Sequence, residues 1–199
     1  MIGRKAFFAI AILLIAGPVH AQEVTGFGRF TELPAHRALV AQSIEAKVTG
    51  FTTDGCSGGM SDIWRAASRQ FPELANTYGS KPPWEACCVT HDRRYHNAGG
   101  ARNAVKSYQA RLRADKALKA CVLARGKRAV KAQQELEDGS PETVRLAYTS
   151  IAEAMYYAVR AGGGPCSGLS WRWGYGYPNC SVLRGTGVDG LARGNPTSN

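Results

Sequence analysis

Apolar positions along the chain recur at helical spacing, with no convincing strand alternation. Leu39, Val40, Ala41 and Ile44 predict a helix over Pro34 to Lys47, with Pro34 near its start, after an irregular stretch from Gln22 to Phe30. Thr49 to Ser61 is rich in Gly, Thr and Ser and predicts a loop. Asp62 to Phe71 suits a short helix, and Pro72 to Pro83 is turn-rich. A helix is expected from about Trp84 to Asn97, preceded by Pro82-Pro83 and ended by Gly99-Gly100. The next runs from about Arg102 to Leu123, with Gly126 either breaking it or lying inside a longer helix to Leu136. A further helix has Ser140 as N-cap, Pro141 at N1 and Glu142 in its first turn. Its apolar stripe holds Val144, Ala147, Ile151, Ala154, Met155 and Ala158, and it stops at Gly162-Gly163-Gly164. Pro165 to Asn199 is Gly-rich and aromatic, with a loose tail after Asp189.

The first twenty-one residues read differently. Arg4 and Lys5 precede an apolar run from Ala6 to Ala16, Gly17 and Pro18 break it, and Val19-His20-Ala21 offers a cleavage site. That run is well short of the ~20 residues that a membrane span needs. The expectation is a signal peptide over 1–21 and one exported domain over 22–199, secreted or periplasmic. All six cysteines, Cys56, Cys87, Cys88, Cys121, Cys166 and Cys180, follow the leader. An even count in an exported chain predicts three disulfides, although six cysteines allow about fifteen pairings. The formal charge is +10, of which Arg4 and Lys5 leave with the leader. That surplus suits an anionic surface, membrane lipid or nucleic acid, and serves solubility equally well.

The chemistry concentrates in Cys87-Cys88-Val89-Thr90-His91-Asp92-Arg93-Arg94-Tyr95. Residues four apart share a helix face. Cys87, His91 and Tyr95 form one stripe, Cys88 and Asp92 its neighbour, while Thr90, Arg93, Arg94 and Asn97 fall on the polar side. A base, a carboxylate, a phenol and two cysteines therefore meet a second element together. A zinc site from Cys87, Cys88, His91 and His96 is disfavoured, because adjacent helical cysteines diverge by roughly 100° and exported cysteines oxidise. His36 and His96 have no evident partner and are expected at the surface.

Cys-Cys-x-x-His-Asp-x-x-Tyr resembles the active-site helix of secreted phospholipases A2. Asp54-Gly55-Cys56-Ser57-Gly58-Gly59 resembles that family's calcium loop, and Asp115, six residues before Cys121, has the spacing of its second aspartate. The matches span Asp54 to Cys121 and leave the rest unexplained. The resemblance implies His91 as general base, Asp115 as the carboxylate that orients it, and Tyr95 as the brace on Asp115. It implies Ca2+ as cofactor, with Asp92 and the carbonyls of Gly55, Ser57 and Gly59 as ligands, and a loop N–H near Ser57 for the oxyanion. It pairs Cys56 with Cys88 and Cys87 with Cys121, which leaves Cys166 and Cys180 for each other. This chain departs from the family in having Ser57 where glycine is usual, Gly55 where an aromatic is usual, and an insertion from Asp62 to Pro83. Asp54 offers a carboxylate of its own as a variant of the metal site. Asp115 sits among Arg111, Arg113, Lys116 and Lys119, and a solvated ion pair is the lesser alternative for it.

The fold expectation is a mainly α, disulfide-stapled domain with two central antiparallel helices, an extra C-terminal helix and a Gly/aromatic-rich tail. The resemblance implies hydrolysis of the sn-2 ester of glycerophospholipids at a membrane surface, anionic given the charge. The rival reading is a membrane-binding or membrane-disrupting protein on the same scaffold, without turnover. No nucleic-acid partner is expected, since the basic run from Arg102 to Lys131 lacks interleaved aromatics and the chain is exported. Trp171, Trp173, Tyr175 and Tyr177, between Cys166 and Cys180, suit either a membrane interface or the core.

Overall fold

The computed structural model describes residues 26–56, 60–70, 72, 76, 79, 81–135 and 141–182. The expected leader, the expected N-cap Ser140 and the tail after Asp189 lie outside them. Among the described residues the chain is helical and has no strand: α1 Gly26–Glu45, α2 Met60–Gln70, α3 Glu85–His96, α4 Ala104–Glu135 and α5 Pro141–Gly162. No helix among them is long and apolar enough to cross a membrane.

Side-chain pairs give the helix directions. Cys87 of α3 is bonded to Cys121 of α4, and His91, one turn on, meets Asp115, earlier in α4. The partners therefore run in opposite senses. Glu153 of α5 meets Lys119 and Arg160 meets Asp115, so α5 is antiparallel to α4 as well. Glu32 of α1 reaches Arg111 and His36 reaches Ser107, which sets α1 antiparallel to α4 too. The 32-residue α4 is thus the spine that α1, α3 and α5 share.

Two apolar clusters flank the middle of α3 and α4. One holds Cys56, Trp84, Cys87, Cys88, Leu118, Val122, Tyr148, Ala152 and Met155. The other holds Leu39, Tyr95, Ala98, Ala114, Trp173 and Cys180. His91 lies one turn from a member of each cluster on α3, and Asp115 sits between Ala114 and Leu118 on α4, so both fall at the seam. The pairs Cys56–Cys88, Cys87–Cys121 and Cys166–Cys180 are all closed, as the resemblance implied. Three disulfides point to an oxidising environment.

Two sequence expectations need correction, and one open alternative is resolved. Gly26 to Phe30 is helical, and Pro34 lies inside α1 instead of opening it. An interior proline forfeits a backbone bond, but the turns upstream of it carry Glu32 to the two arginines of α4 and α5. Gly126 does not break α4; a Cβ there would sit 2.6 Å from Cβ of Tyr148, so its bareness lets α5 approach. His36 and His96 are both buried. His36 bonds Ser107, and His96 is flanked edge-on by Phe51 and Tyr175.

Candidate active site

The face reading of α3 holds: Cys87, Cys88, His91, Asp92 and Tyr95 are buried, while Thr90, Arg93, Arg94 and Asn97 are exposed. Two disulfides fix the N-terminal half of α3. At its other end, Gly174 N–H donates to the Tyr95 carbonyl and Gly176 N–H to that of His96. These bonds satisfy carbonyls that a helix end leaves open. The Cys166–Cys180 segment is therefore a turn-rich cap on α3, and it buries Trp173 completely.

Asp115 is fully buried, and the solvated ion pair is excluded. Its Oδ1 accepts from His91 Nε2 at 2.9 Å and from the Tyr95 hydroxyl at 2.7 Å. Its Oδ2 accepts from Arg160 Nη1 at 3.0 Å. Burial alone would raise the Asp115 pKa, but the His91 hydrogen bond, the charges of Arg111 and His91 and the Tyr95 hydroxyl hold it below the carboxylate range. Asp115 is accordingly an anion and an acceptor. That assigns the His91 proton to Nε2 and leaves the Nδ1 lone pair on the Asp92 side. Burial lowers the His91 pKa, yet hydrogen bonding and charge from Asp115 and Asp92 outweigh it and raise the pKa above the ordinary value. Nδ1 to Asp92 Oδ1 is 3.8 Å, an electrostatic contact and not a hydrogen bond.

Asp92 is held from the loop. Thr53 Oγ1 donates to Asp92 Oδ2 at 2.5 Å and in turn accepts Gly55 N–H at 3.1 Å. Gly55 has φ +83°, and a Cβ there would lie 3.1 Å from Ser61 Oγ and 3.2 Å from Glu85 Cδ, so only glycine suits that turn. Of the other expected loop ligands, Ser57 and Gly59 lie outside the described residues. Asp54 and Asp92 line one cavity of about 280 Å3 with Thr52, Thr53, Ser170, Trp171 and Tyr175. Burial and then the charges of Asp92 and Asp54 push the Tyr175 phenol up to about 12. Two carboxylates, hydroxyls and loop carbonyls are hard oxygen donors, a chemistry that fits Ca2+. Among the described residues no three His, Cys, Asp or Glu side chains converge as a metal cluster, a test that a carbonyl-rich site escapes.

A second cavity, of about 210 Å3, opens on the other side of Asp92. Cys56, Cys88, His91, Asp92, Leu118, Ala154, Met155, Ala158, Val159 and Trp171 line it, so its walls are largely apolar. Asp92 and Trp171 belong to both cavities.

Sequence reasoning missed several of these residues. Thr53 carries no signal beyond loop composition. Arg111 stood in view as part of a basic run, and its place four residues before Asp115 puts both on one face. Arg160 and Glu32 become visible only once α1 and α5 are docked on α4. Met155 and Ala158 were read as core stripe, and they form the wall of the slot. Comparison of the chain with protein-family models, curated proteins and solved structures finds no match.

Proposed function

We propose that the chain is an exported phospholipase A2-like esterase, hydrolysing the sn-2 ester of glycerophospholipids with Ca2+ as cofactor. One observation carries this reading: Asp92 stands where a carboxylate-lined cavity meets an apolar slot, and His91, bonded to Asp115, lies in the wall of that slot. A glycerophospholipid has the same division, a charged head beside an acyl chain. A general base at the junction lies where the scissile ester would fall.

His91 Nδ1 takes a proton from water, and the resulting hydroxide attacks the ester carbonyl. The imidazolium that forms is stabilised by Asp115, which stays ionised and fixes the tautomer. Collapse breaks the bond to the glycerol oxygen, and His91 returns the proton to that oxygen. A fatty acid and a lysophospholipid leave. Asp92, Asp54 and the Gly55 carbonyl, with Ser57 and Gly59, would hold the cation, which when bound supplies positive charge to the developing oxyanion. Water is thinned from the slot by Leu118, Met155 and Val159.

Contact with an anionic membrane surface has its own support. Lys106, Arg113, Lys116 and Lys127 are exposed on one broad face of α4. The acidic residues of that helix are Asp115, which is buried, and Glu135 at its last position. Such a face attracts anionic lipid. The test is fatty-acid release from vesicles of mixed anionic and zwitterionic phospholipid, with Ca2+ or with chelator. Release that needs Ca2+ and His91 supports the esterase; vesicle binding without release supports the non-catalytic rival.

A further inference from the structure

Three buried or half-buried charges, Glu32, Arg111 and Arg160, surround the back of the His91–Asp115 pair, and none belongs to the motifs that drew attention to α3. Glu32 of α1 accepts from Arg111 Nη1 on one oxygen and from Arg160 Nη2 on the other. Arg111 is fully spent elsewhere: Nη2 donates to the carbonyls of Val159 and Arg160, at 2.7 and 3.0 Å, and Nε donates to the Tyr95 hydroxyl at 3.2 Å. Its Nε stands 3.9 Å from Asp115 Oδ2, too far for a hydrogen bond. Among the described residues, Arg160 alone donates a hydrogen bond to Oδ2, at 3.0 Å.

We propose that Arg160 is a positioning residue: held by Glu32, it pins Oδ2 of Asp115 so that Oδ1 stays in line with His91 Nε2. The inference rests on reading His91 and Asp115 as a base and its orienting carboxylate. The argument is geometric. A carboxylate turns about its own Cβ–Cγ bond unless both oxygens are held. Tyr95 and His91 both act on Oδ1 and cannot stop that rotation. Arg111, four residues earlier on the same helix, is the cation toward which a released Oδ2 would swing. Arg160 comes from α5 and prevents it. Glu32 keeps the two guanidinium groups from repelling each other and aims Nη1 of Arg160 by binding Nη2. The cluster also joins three helices, so α1, which carries no reacting group, acts on the base through two hydrogen bonds and an ion pair.

A merely structural ion pair predicts something different. Buried charge networks contribute little net stability and can be replaced in balanced sets without loss. Glu32→Gln together with Arg160→Gln removes one charge of each sign and leaves Asp115 opposed by Arg111. If Arg160 positions Asp115, this double variant melts near the wild-type temperature but has kcat lower by about 10- to 100-fold, the usual loss on removing a residue that orients a functional histidine, with KM within about twofold. In the proton NMR spectrum, at one pH and with chelator present, the downfield signal of the His91 Nε2 proton weakens or moves upfield. Arg160→Lys, which can reach one carboxylate but not both, gives an intermediate kcat and signal. A double variant that keeps the wild-type kcat and the wild-type Nε2 signal overturns the inference. Should wild-type protein release no fatty acid at all, the esterase reading falls, and the Nε2 signal of the double variant still decides whether Arg160 holds Asp115 against His91.

Discussion

His91 Nε2 and Asp115 Oδ1 are 2.9 Å apart, a hydrogen bond between two buried side chains on neighbouring antiparallel helices. It gives the two residues different costs of substitution. His91→Gln keeps a good helix former in α3 and removes the proposed base, so turnover should fall by about 10²-fold or more while Ca2+ binding and melting change little. Asp115→Asn retains the base and should cost less in turnover. It should cost more in stability, about 3–5 kcal/mol, because Arg160 and Arg111 then share Glu32 alone. Lipid hydrolysis at saturating Ca2+ and thermal melts of both variants separate the two losses. Equal melting temperatures, or wild-type turnover by a folded His91→Gln protein, contradict this assignment.

The metal prediction follows from the ligand set. On the proposed reading of an exported esterase, one or two carboxylates and neutral carbonyls imply weak affinity, on the order of 10⁻⁴ to 10⁻³ M. Asp92→Asn should weaken calcium binding in calorimetry by at least tenfold and leave the fold intact, since Thr53 can still bond the side-chain oxygen. Equal binding by both proteins removes Asp92 from the site.

The site's chemistry was legible in the sequence where it is local and illegible where it is tertiary. His91, Asp92 and Tyr95 lie at helical offsets on one face, and that periodicity alone placed them together. The stop at Gly162 and the start at Pro141 were equally readable, because caps are chemical signals carried by one or two residues. Gly126 left two readings open because a glycine inside a helix has two opposite meanings, a break or a close approach, and only Tyr148 decides between them. Pro34 misled for a similar reason: its local preference for a helix start is overridden by the bonds that Glu32 makes. His36 and His96 were assigned to the surface because their partners, Ser107 and Tyr175, come from distant parts of the chain. The Arg111–Arg160–Glu32 cluster could not be read from any one segment, since each member comes from a different helix.

The apolar slot gives a prediction that does not touch the reacting groups. Ala154 and Ala158 are exposed at its rim on α5, and Met155 lies behind them. Ala158→Phe should fill the mouth while leaving the buried core in place. Release of long acyl chains should then fall by about tenfold or more, and hydrolysis of a short-chain ester should fall by less than twofold. A fall of the same size for both substrates assigns the acyl chain elsewhere.

The last prediction uses the titrating groups behind the site. Burial lowers the His36 pKa, and the charge of Arg111 lowers it further, against the raising effect of Glu32, so the ring is neutral in the folded protein below the ordinary value of 6.5. An unfolded chain takes up a proton there and the folded one does not, so His36 costs stability as pH falls below about 6.5. Glu32 is driven up by burial but held below its ordinary 4.5 by the His36 ring, 3.6 Å away, and the charges of Arg111 and Arg160. Asp115 is likewise held below 3.8. Stability from these two carboxylates is fully present above those values and is lost as pH falls through their depressed folded pKa values. His91 has the opposite sign: its folded pKa is raised, so its contribution is complete below 6.5 and disappears as pH rises through the folded value. Two histidines of opposite sign place maximal stability near 6.5, with a gentle fall on the alkaline side and two stages of loss on the acid side. Melting temperatures measured from pH 3 to 8.5 with chelator present should show that profile. His36→Gln, whose amide can still bond Ser107, should abolish the first acid stage and keep the second, because Glu32 and Asp115 remain. A His36→Gln protein with an unchanged slope between pH 5 and 6.5 would show that the acid loss comes from some other group.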